Sequence, residues 1–147
     1  MFKNILLAVH GDENREFLER VLELCNFFKA EITVLHVAET GLSHYGYVDQ
    51  LASAITKDQF IDYIYNMAKE RQDNIYNEFK DRAEATGLTF QWRLREGKPQ
   101  LEIVEEFKKG KYDLLILGTK PKSPGNTSSK VKERVLKEIA SSVFIIK

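Results

Sequence analysis

The chain has 147 residues, and its 22 lysine and arginine residues balance 22 aspartate and glutamate residues. Its length is close to the commonest size of a single domain, and the zero net charge excludes bulk attraction to nucleic acid or to an anionic membrane. The single cysteine, Cys25, excludes an internal disulfide and is typical of a reducing compartment. We therefore expect one cytoplasmic domain without a nucleic-acid or membrane partner.

The first half of the chain predicts two strands and two helices. Ile5 to Val9 is a continuous apolar run, which is typical of a parallel strand buried on both faces. A helix follows, with Asp12 or Asn14 as its N-cap. Its apolar face comprises Phe17, Leu18, Val21, Leu22, Cys25 and Phe28. Glu31 to Val37 is the second strand, and a long helix from about Lys57 to Thr86 comes after it.

The second half continues the alternation. The apolar stripe of the long helix comprises Phe60, Ile64, Ala68, Ile75, Phe79 and Ala83. The remaining elements, in chain order, are a strand at Thr89–Arg95 that lies at an edge or has one solvated face, a helix from Pro99 to near Gly110, a strand at Tyr112–Leu117, a helix from Val131 and a last strand at Ser142–Lys147. Such alternation predicts a three-layer α/β/α sandwich with a five-stranded parallel sheet.

Ligands of open parallel sheets bind beyond the carboxyl ends of the strands, where the strand order switches. Three loops from distant parts of the sequence should meet at this edge: His10–Asp12, Val37–Ala38 and Gly118–Thr119. A strand that ends in a glycine and leads to a helix can bring backbone N–H groups and a positive helix dipole to an anion. The pattern therefore predicts a crevice suited to phosphate.

Six segments, in this order and spacing, resemble the universal stress protein family. They are Lys3–Val9, Leu35–Val37, Arg95–Pro99, Tyr112–Thr119, Val131–Leu136 and Ser142–Ile146. The resemblance implies one universal stress protein domain over residues 1–147, of the Rossmann-like, adenine-nucleotide α-hydrolase-like type, acting in stress response. It also implies a homodimer that pairs through the last strand, at Val143, Phe144, Ile145 and Ile146; an edge strand that ends the sheet suits such pairing.

The chain departs from the nucleotide-binding members of that family at their glycine motif. Those members carry a glycine, two residues, a second glycine, nine residues, and then glycine followed by serine or threonine. Here Gly118 holds the first position, Pro121 holds the second, and Ser129-Lys130 stands where the last pair would be. Proline has no N–H to donate, and His10 replaces the acidic residue that such members place after the first strand. The leading interpretation is a regulatory binding protein whose pocket binds adenine nucleotides weakly or not at all, and whose protein partner is unknown.

The alternative is an ATP or AMP sensor in which Ser128, Ser129 and Lys130 replace the glycine cradle. Hydroxyls and N–H groups just before a helix at Val131 would then hold the phosphates, and magnesium would enter only together with the nucleotide. The candidate nucleotide-binding residues are Val9, His10, Val37, Leu117, Gly118, Thr119, Ser128, Ser129, Lys130 and Val131. Against this stands a plain structural interpretation, in which the serines cap the helix and the lysines are solvated. Slow ATP hydrolysis is a third hypothesis, but the sequence indicates no catalytic or metal-binding residue.

Four further residues have a structural interpretation that outweighs a functional one. His36 lies inside a predicted strand and is expected to be a packed core residue. Cys25, on an apolar helix face, is expected in the core, and Trp92 is expected to pack or to contact a partner rather than hold a cofactor. His44 lies in a loop and has no partner at metal-ligand spacing.

Overall fold

Strands and helices alternate through residues 2–10, 13–38, 54–118 and 128–147, the part of the chain that the computed structural model describes. The elements, in chain order, are β1 (Asn4–Val9), α1 (Arg15–Phe28), β2 (Glu31–Ala38), α2 (Ala54–Ala85), β3 (Phe90–Glu96), α3 (Pro99–Lys109), β4 (Leu114–Gly118), α4 (Ser128–Glu138) and β5 (Ser142–Ile146). Each element predicted from the sequence is present, with ends that differ by a few residues.

The five strands form one parallel sheet in the order β3-β2-β1-β4-β5. The chain moves outward from β1 to β2 and β3, and it then crosses back to place β4 and β5 on the other side of β1. The order therefore switches between β1 and β4, and the carboxyl ends of β1, β2 and β4 lie side by side. The predicted α/β fold class and the predicted convergence of these three strand ends are confirmed.

Both faces of the sheet are covered, which explains why β1 is a continuous apolar run. Ile5, Leu7 and Val9 pack on one face, in a cluster with residues of α1 and α2. Leu6 and Ala8 pack on the other face, in a cluster with residues of α3 and α4. Because successive side chains of a strand point to opposite faces, a strand covered on both faces favours apolar residues at every position, as β1 has from Ile5 to Val9.

The helices confirm the predicted apolar faces as far as the structure describes them. Phe17, Leu18, Val21, Leu22 and Cys25 are buried on α1, and Ile75, Phe79 and Ala83 are buried on α2. The side chains of Phe60, Ile64 and Ala68 lie outside the described residues. Of the two predicted caps of α1, Asn14 is the one observed: its Oδ1 accepts a 2.8 Å hydrogen bond from the N–H of Phe17.

The start of α4 was predicted wrongly. The sequence pattern placed it at Val131, with Ser128 and Ser129 in the preceding loop, whereas the helix begins at Ser128. Hydrophobic periodicity detects a helix only from its first buried residue, and the first buried side chain of α4 in the described part is Val131. The extra turn, Ser128 to Lys130, is polar and leaves no such signal.

Asp113 joins the starts of β1 and β4 at the amino edge of the sheet. Its carboxylate accepts hydrogen bonds from the N–H of Lys3 at 2.8 Å and from the N–H of Asn4 at 3.0 Å, and its own N–H donates to the carbonyl of Asn4 at 2.9 Å. Asp113 belongs to a segment that carries the family resemblance, but it acts at the edge opposite the crevice. Its role is to set the register of the two central strands.

A buried carboxylate fastens α3 to the edge strand β3. The side chain of Glu106 is 5% exposed; it accepts from Nε of Arg95 at 3.3 Å and from the hydroxyl of Tyr112 at 3.1 Å. Arg95 also donates to Glu102 at 2.7 Å. Burial works against the charge of Arg95, but the hydrogen bond to Glu102 and the nearby carboxylates outweigh it and raise the Arg95 pKa. Burial raises the pKa of Tyr112, so its hydroxyl stays a donor.

We expect Arg95→Met to lower the free energy of unfolding by about 2 to 3 kcal/mol, because it removes the hydrogen-bonded cation of the buried Glu106 carboxylate and leaves only the longer 3.9 Å ion pair with Arg93. Urea unfolding followed by circular dichroism measures the change. Lys109→Met is the matched control: it removes a 2.6 Å ion pair with Glu105 at the exposed surface of the same helix and should leave stability almost unchanged. Equal losses in the two variants would contradict the assigned role of Glu106.

Candidate functional site

The carboxyl edge of the sheet gathers the candidate residues around the end of β1. Val9 pairs with His36 of β2, and Ala8 pairs with Leu117 of β4, so His10 lies just beyond the paired part of the central strand. The helices that follow β1 and β4 run back along the sheet, which places the first turns of α1 and α4 at the same edge. Thr119 and Pro121 lie outside the described residues.

The apolar candidate residues form the floor beneath this edge. Val9, Val37, Leu117 and Val131 are all buried, with 9% exposure or less. Val9 belongs to the cluster under α1 and α2, and the other three belong to the cluster under α3 and α4. These side chains therefore hold the strand ends and α4 in place. A ligand could contact them only through the small part of each side chain that is still exposed at the carboxyl edge.

Gly118, the last residue of β4, has a packing reason to be glycine. A Cβ atom built there would lie 3.0 Å from Cε2 and 3.2 Å from Cζ of Phe17. Such contacts are tighter than normal van der Waals packing, and the ring of Phe17 is itself buried. From the sequence pattern, this glycine was predicted to let the backbone approach a phosphate. What the structure shows is that the ring of Phe17, on α1, packs closely against it.

The structure adds a residue that the sequence analysis missed, namely Glu13. Its side chain is 2% exposed, and its Oε1 accepts a 2.5 Å hydrogen bond from the backbone N–H of His10. The same oxygen lies 3.3 Å from Nε2 of His10. A glutamate three residues after a strand-end histidine was a weak signal, because nothing in the sequence indicates that the chain turns back and buries the carboxylate.

The first turn of α4 consists of Ser128, Ser129 and Lys130, and it lies toward the carboxyl edge of the sheet because the helix follows β4. An α-helix leaves its first four N–H groups without intrahelical acceptors, and its dipole makes this end partly positive. Lys130 is exposed, and the side chains of Ser128 and Ser129 lie outside the described residues. The arrangement can hold an anion, as many helix N-termini do.

The structural interpretations of His36, Trp92 and Cys25 are confirmed. His36 is 2% exposed, with its ring 6.1 Å from that of Trp92, and Trp92 packs edge-on against Tyr76 at 5.2 Å. Cys25 is fully buried, and burial raises the pKa of its thiol to about 12, so it is not a thiolate near neutral pH. His44 lies outside the described residues.

Neither a metal cluster nor a membrane-spanning helix occurs in the part of the chain that the structure describes. No three or more histidine, cysteine or acidic side chains there come together in a way that could hold a metal ion. Among the same residues, no helix combines the length and the apolar character that crossing a bilayer requires.

The five-stranded parallel sheet, with helices on both faces and a strand order that switches between β1 and β4, defines a doubly wound α/β protein. More particularly, the chain belongs to the universal stress protein family, because the model of that family matches residues 1–147. A curated relative is Universal stress protein MJ0531 of Methanocaldococcus jannaschii, 25% identical over 150 residues that span 100% of this chain and 83% of the relative.

Solved structures share the fold. That of hypothetical protein MJ0577 matches with a TM-score of 0.74 and 22% identity over 100% of this chain and 96% of its own. A universal stress protein family protein of Arabidopsis thaliana, solved with AMP bound, matches with a TM-score of 0.62 and 17% identity over 99% and 91% of the two chains. At these identities the similarity establishes the architecture, and the AMP belongs to the plant protein.

We expect Gly118→Ala to lower the free energy of unfolding by about 1 kcal/mol, because the new methyl group must displace the ring of Phe17. Thermal unfolding measures the loss. Phe17→Leu introduced into the Gly118→Ala background should cost less than Phe17→Leu alone, since the smaller side chain makes room for the methyl group. Additive losses from the two substitutions would show that this contact does not determine the glycine.

Proposed function

We propose that this member of the universal stress protein family is a cytoplasmic regulatory protein of the stress response that binds an adenine nucleotide weakly at the carboxyl edge of its sheet. The observation that carries the proposal is the start of α4 at Ser128. The additional turn brings N–H groups of the helix to the edge where Gly118 ends β4, which supports a phosphate position there. The ligand class is suggested by the AMP bound to the plant relative.

Weak binding is proposed because the site lacks the full glycine motif. Pro121 cannot donate a backbone N–H, and Lys130 replaces a serine or threonine hydroxyl. A lysine ammonium is a flexible point charge, and in this position it is exposed, so its attraction to phosphate is screened by water and salt. The alternative, a tight ATP or AMP sensor, would use the same residues but would need stronger hydrogen bonding to the phosphates than these residues supply.

Isothermal titration with ATP, AMP and adenosine tests the nucleotide proposal. We expect dissociation constants that decrease with phosphate number and remain weaker than those of a tight nucleotide sensor. Lys130→Ala should weaken ATP binding by about three- to tenfold and leave adenosine binding unchanged, because it removes one exposed charge near the phosphates. Lys137→Ala, in the last turn of the same helix, is the control. A folded protein that binds none of the three ligands up to millimolar concentration would refute the proposal.

We further propose that the protein acts as a homodimer through β5. This strand lies at one edge of the sheet, and its apolar side chains are only partly covered: Val143, Phe144 and Ile146 are half-buried, and Ile145 is 38% exposed. Leu136, on the neighbouring α4, is 64% exposed. A two-fold axis beside β5 would pair its outer backbone groups and cover these side chains at once.

We expect Ile145→Lys to convert the dimer to a monomer, because it places a charge and its symmetry copy inside an apolar interface. Sedimentation velocity distinguishes the two states. The control is Leu101→Lys, which makes the same kind of change at a 42% exposed leucine on α3. A dimer that survives Ile145→Lys would place the interface elsewhere, and a monomeric wild-type protein would refute the homodimer itself.

A further inference from the structure

Glu13 lies between the end of β1 and the N-cap of α1, and its carboxylate is almost completely buried. Its side chain is 2% exposed, whereas the imidazole of His10 beside it is 30% exposed. Burying a carboxylate costs several kcal/mol unless hydrogen bonds and an opposite charge compensate it. The buried carboxylate of Glu13, next to the candidate site, must therefore be compensated by its neighbours.

The contacts of Glu13 show how the carboxylate is compensated. Its Oε1 accepts the backbone N–H of His10 at 2.5 Å and lies 3.3 Å from Nε2 of the same residue. The first contact holds the main chain where it leaves β1, and the second directs one ring nitrogen toward the carboxylate. A carboxylate at this distance favours the protonated form of an imidazole, in which both ring nitrogens are donors.

The pair of His10 and Glu13 places a hydrogen-bond donor at the tip of β1, where a carboxylate would be a hydrogen-bond acceptor. An exposed carboxylate at the tip of β1 could only accept hydrogen bonds, for example from hydroxyl groups of a ligand. In this chain the side chain of Glu13 is 2% exposed and that of His10 is 30% exposed, so the imidazole is the more accessible of the two groups. A donor that carries positive charge selects an anionic oxygen instead of a hydroxyl group.

We propose that Glu13 is a positioning residue that holds His10 as a charged donor, and that His10 binds a phosphate oxygen of the adenine nucleotide. This inference rests on the nucleotide binding proposed above and specifies which part of the ligand the tip of β1 contacts. It assigns to Glu13 an effect on ligand selectivity that a purely structural carboxylate would not have.

The test compares ATP with adenosine by isothermal titration in one buffer, for the wild-type protein, Glu13→Gln, His10→Gln and the double variant. The amide introduced by Glu13→Gln would keep an oxygen to accept the His10 N–H but would lose the charge. We expect each single variant to weaken ATP binding by about tenfold, the size of one charge-assisted hydrogen bond, and to leave adenosine binding unchanged. The double variant should resemble His10→Gln, because Glu13 acts through that ring.

Glu16→Gln is the matched control, since Glu16 lies on the outer surface of α1, is 70% exposed and pairs with Arg20; it should change neither affinity. Thermal unfolding of every variant shows whether it is folded. Equal weakening of ATP and adenosine in Glu13→Gln, unchanged ATP binding, or additive losses in the double variant would each overturn the assignment while leaving nucleotide binding intact. A wild-type protein that binds neither ligand would overturn both proposals.

Discussion

The parallel pairing of β1 with β2 on one side and β4 on the other is the constraint on which the rest of this structure depends. It buries the central strand on both faces and requires the apolar run from Ile5 to Val9. It also brings the ends of three strands to one edge, where the order of the sheet switches. The candidate site exists because of this pairing, since no two of its loops are neighbours in the sequence.

Three carboxylates stabilise this arrangement by similar physics at different places. Asp113 accepts hydrogen bonds from two main-chain N–H groups at the amino edge. Glu106, on α3, accepts hydrogen bonds from Arg95 and Tyr112. Glu13 accepts a hydrogen bond from the N–H of His10 at the carboxyl edge. Each is a short connection between elements that a hydrophobic core cannot orient by itself. Of these three carboxylates, Glu13 is the one at the carboxyl edge, beside the candidate site. A carboxylate that accepts main-chain hydrogen bonds can therefore stabilise the fold at one edge and lie next to a proposed binding site at the other.

The order and type of the elements could be predicted because local patterns report burial directly. Continuous apolar runs indicated the buried strands, apolar residues at helical spacing indicated α1, and Pro99 marked the start of α3. The start of α4 was missed because its first turn is polar. The features of the site that matter most, the buried Glu13 and the contact between Gly118 and Phe17, depend on residues that meet only after folding.

By itself, the sequence determined the α/β class, the core faces and the edge at which the ends of β1, β2 and β4 meet, because hydrophobic periodicity and the rules of parallel sheets require nothing beyond the order of residues. The tertiary structure decided which polar groups at that edge are buried and which remain exposed. Glu13 and Glu16 look alike in the sequence, yet one carboxylate is enclosed beside His10 and the other faces solvent. The energy of a charge depends on the dielectric and on the partners around it, and these are properties of the folded chain.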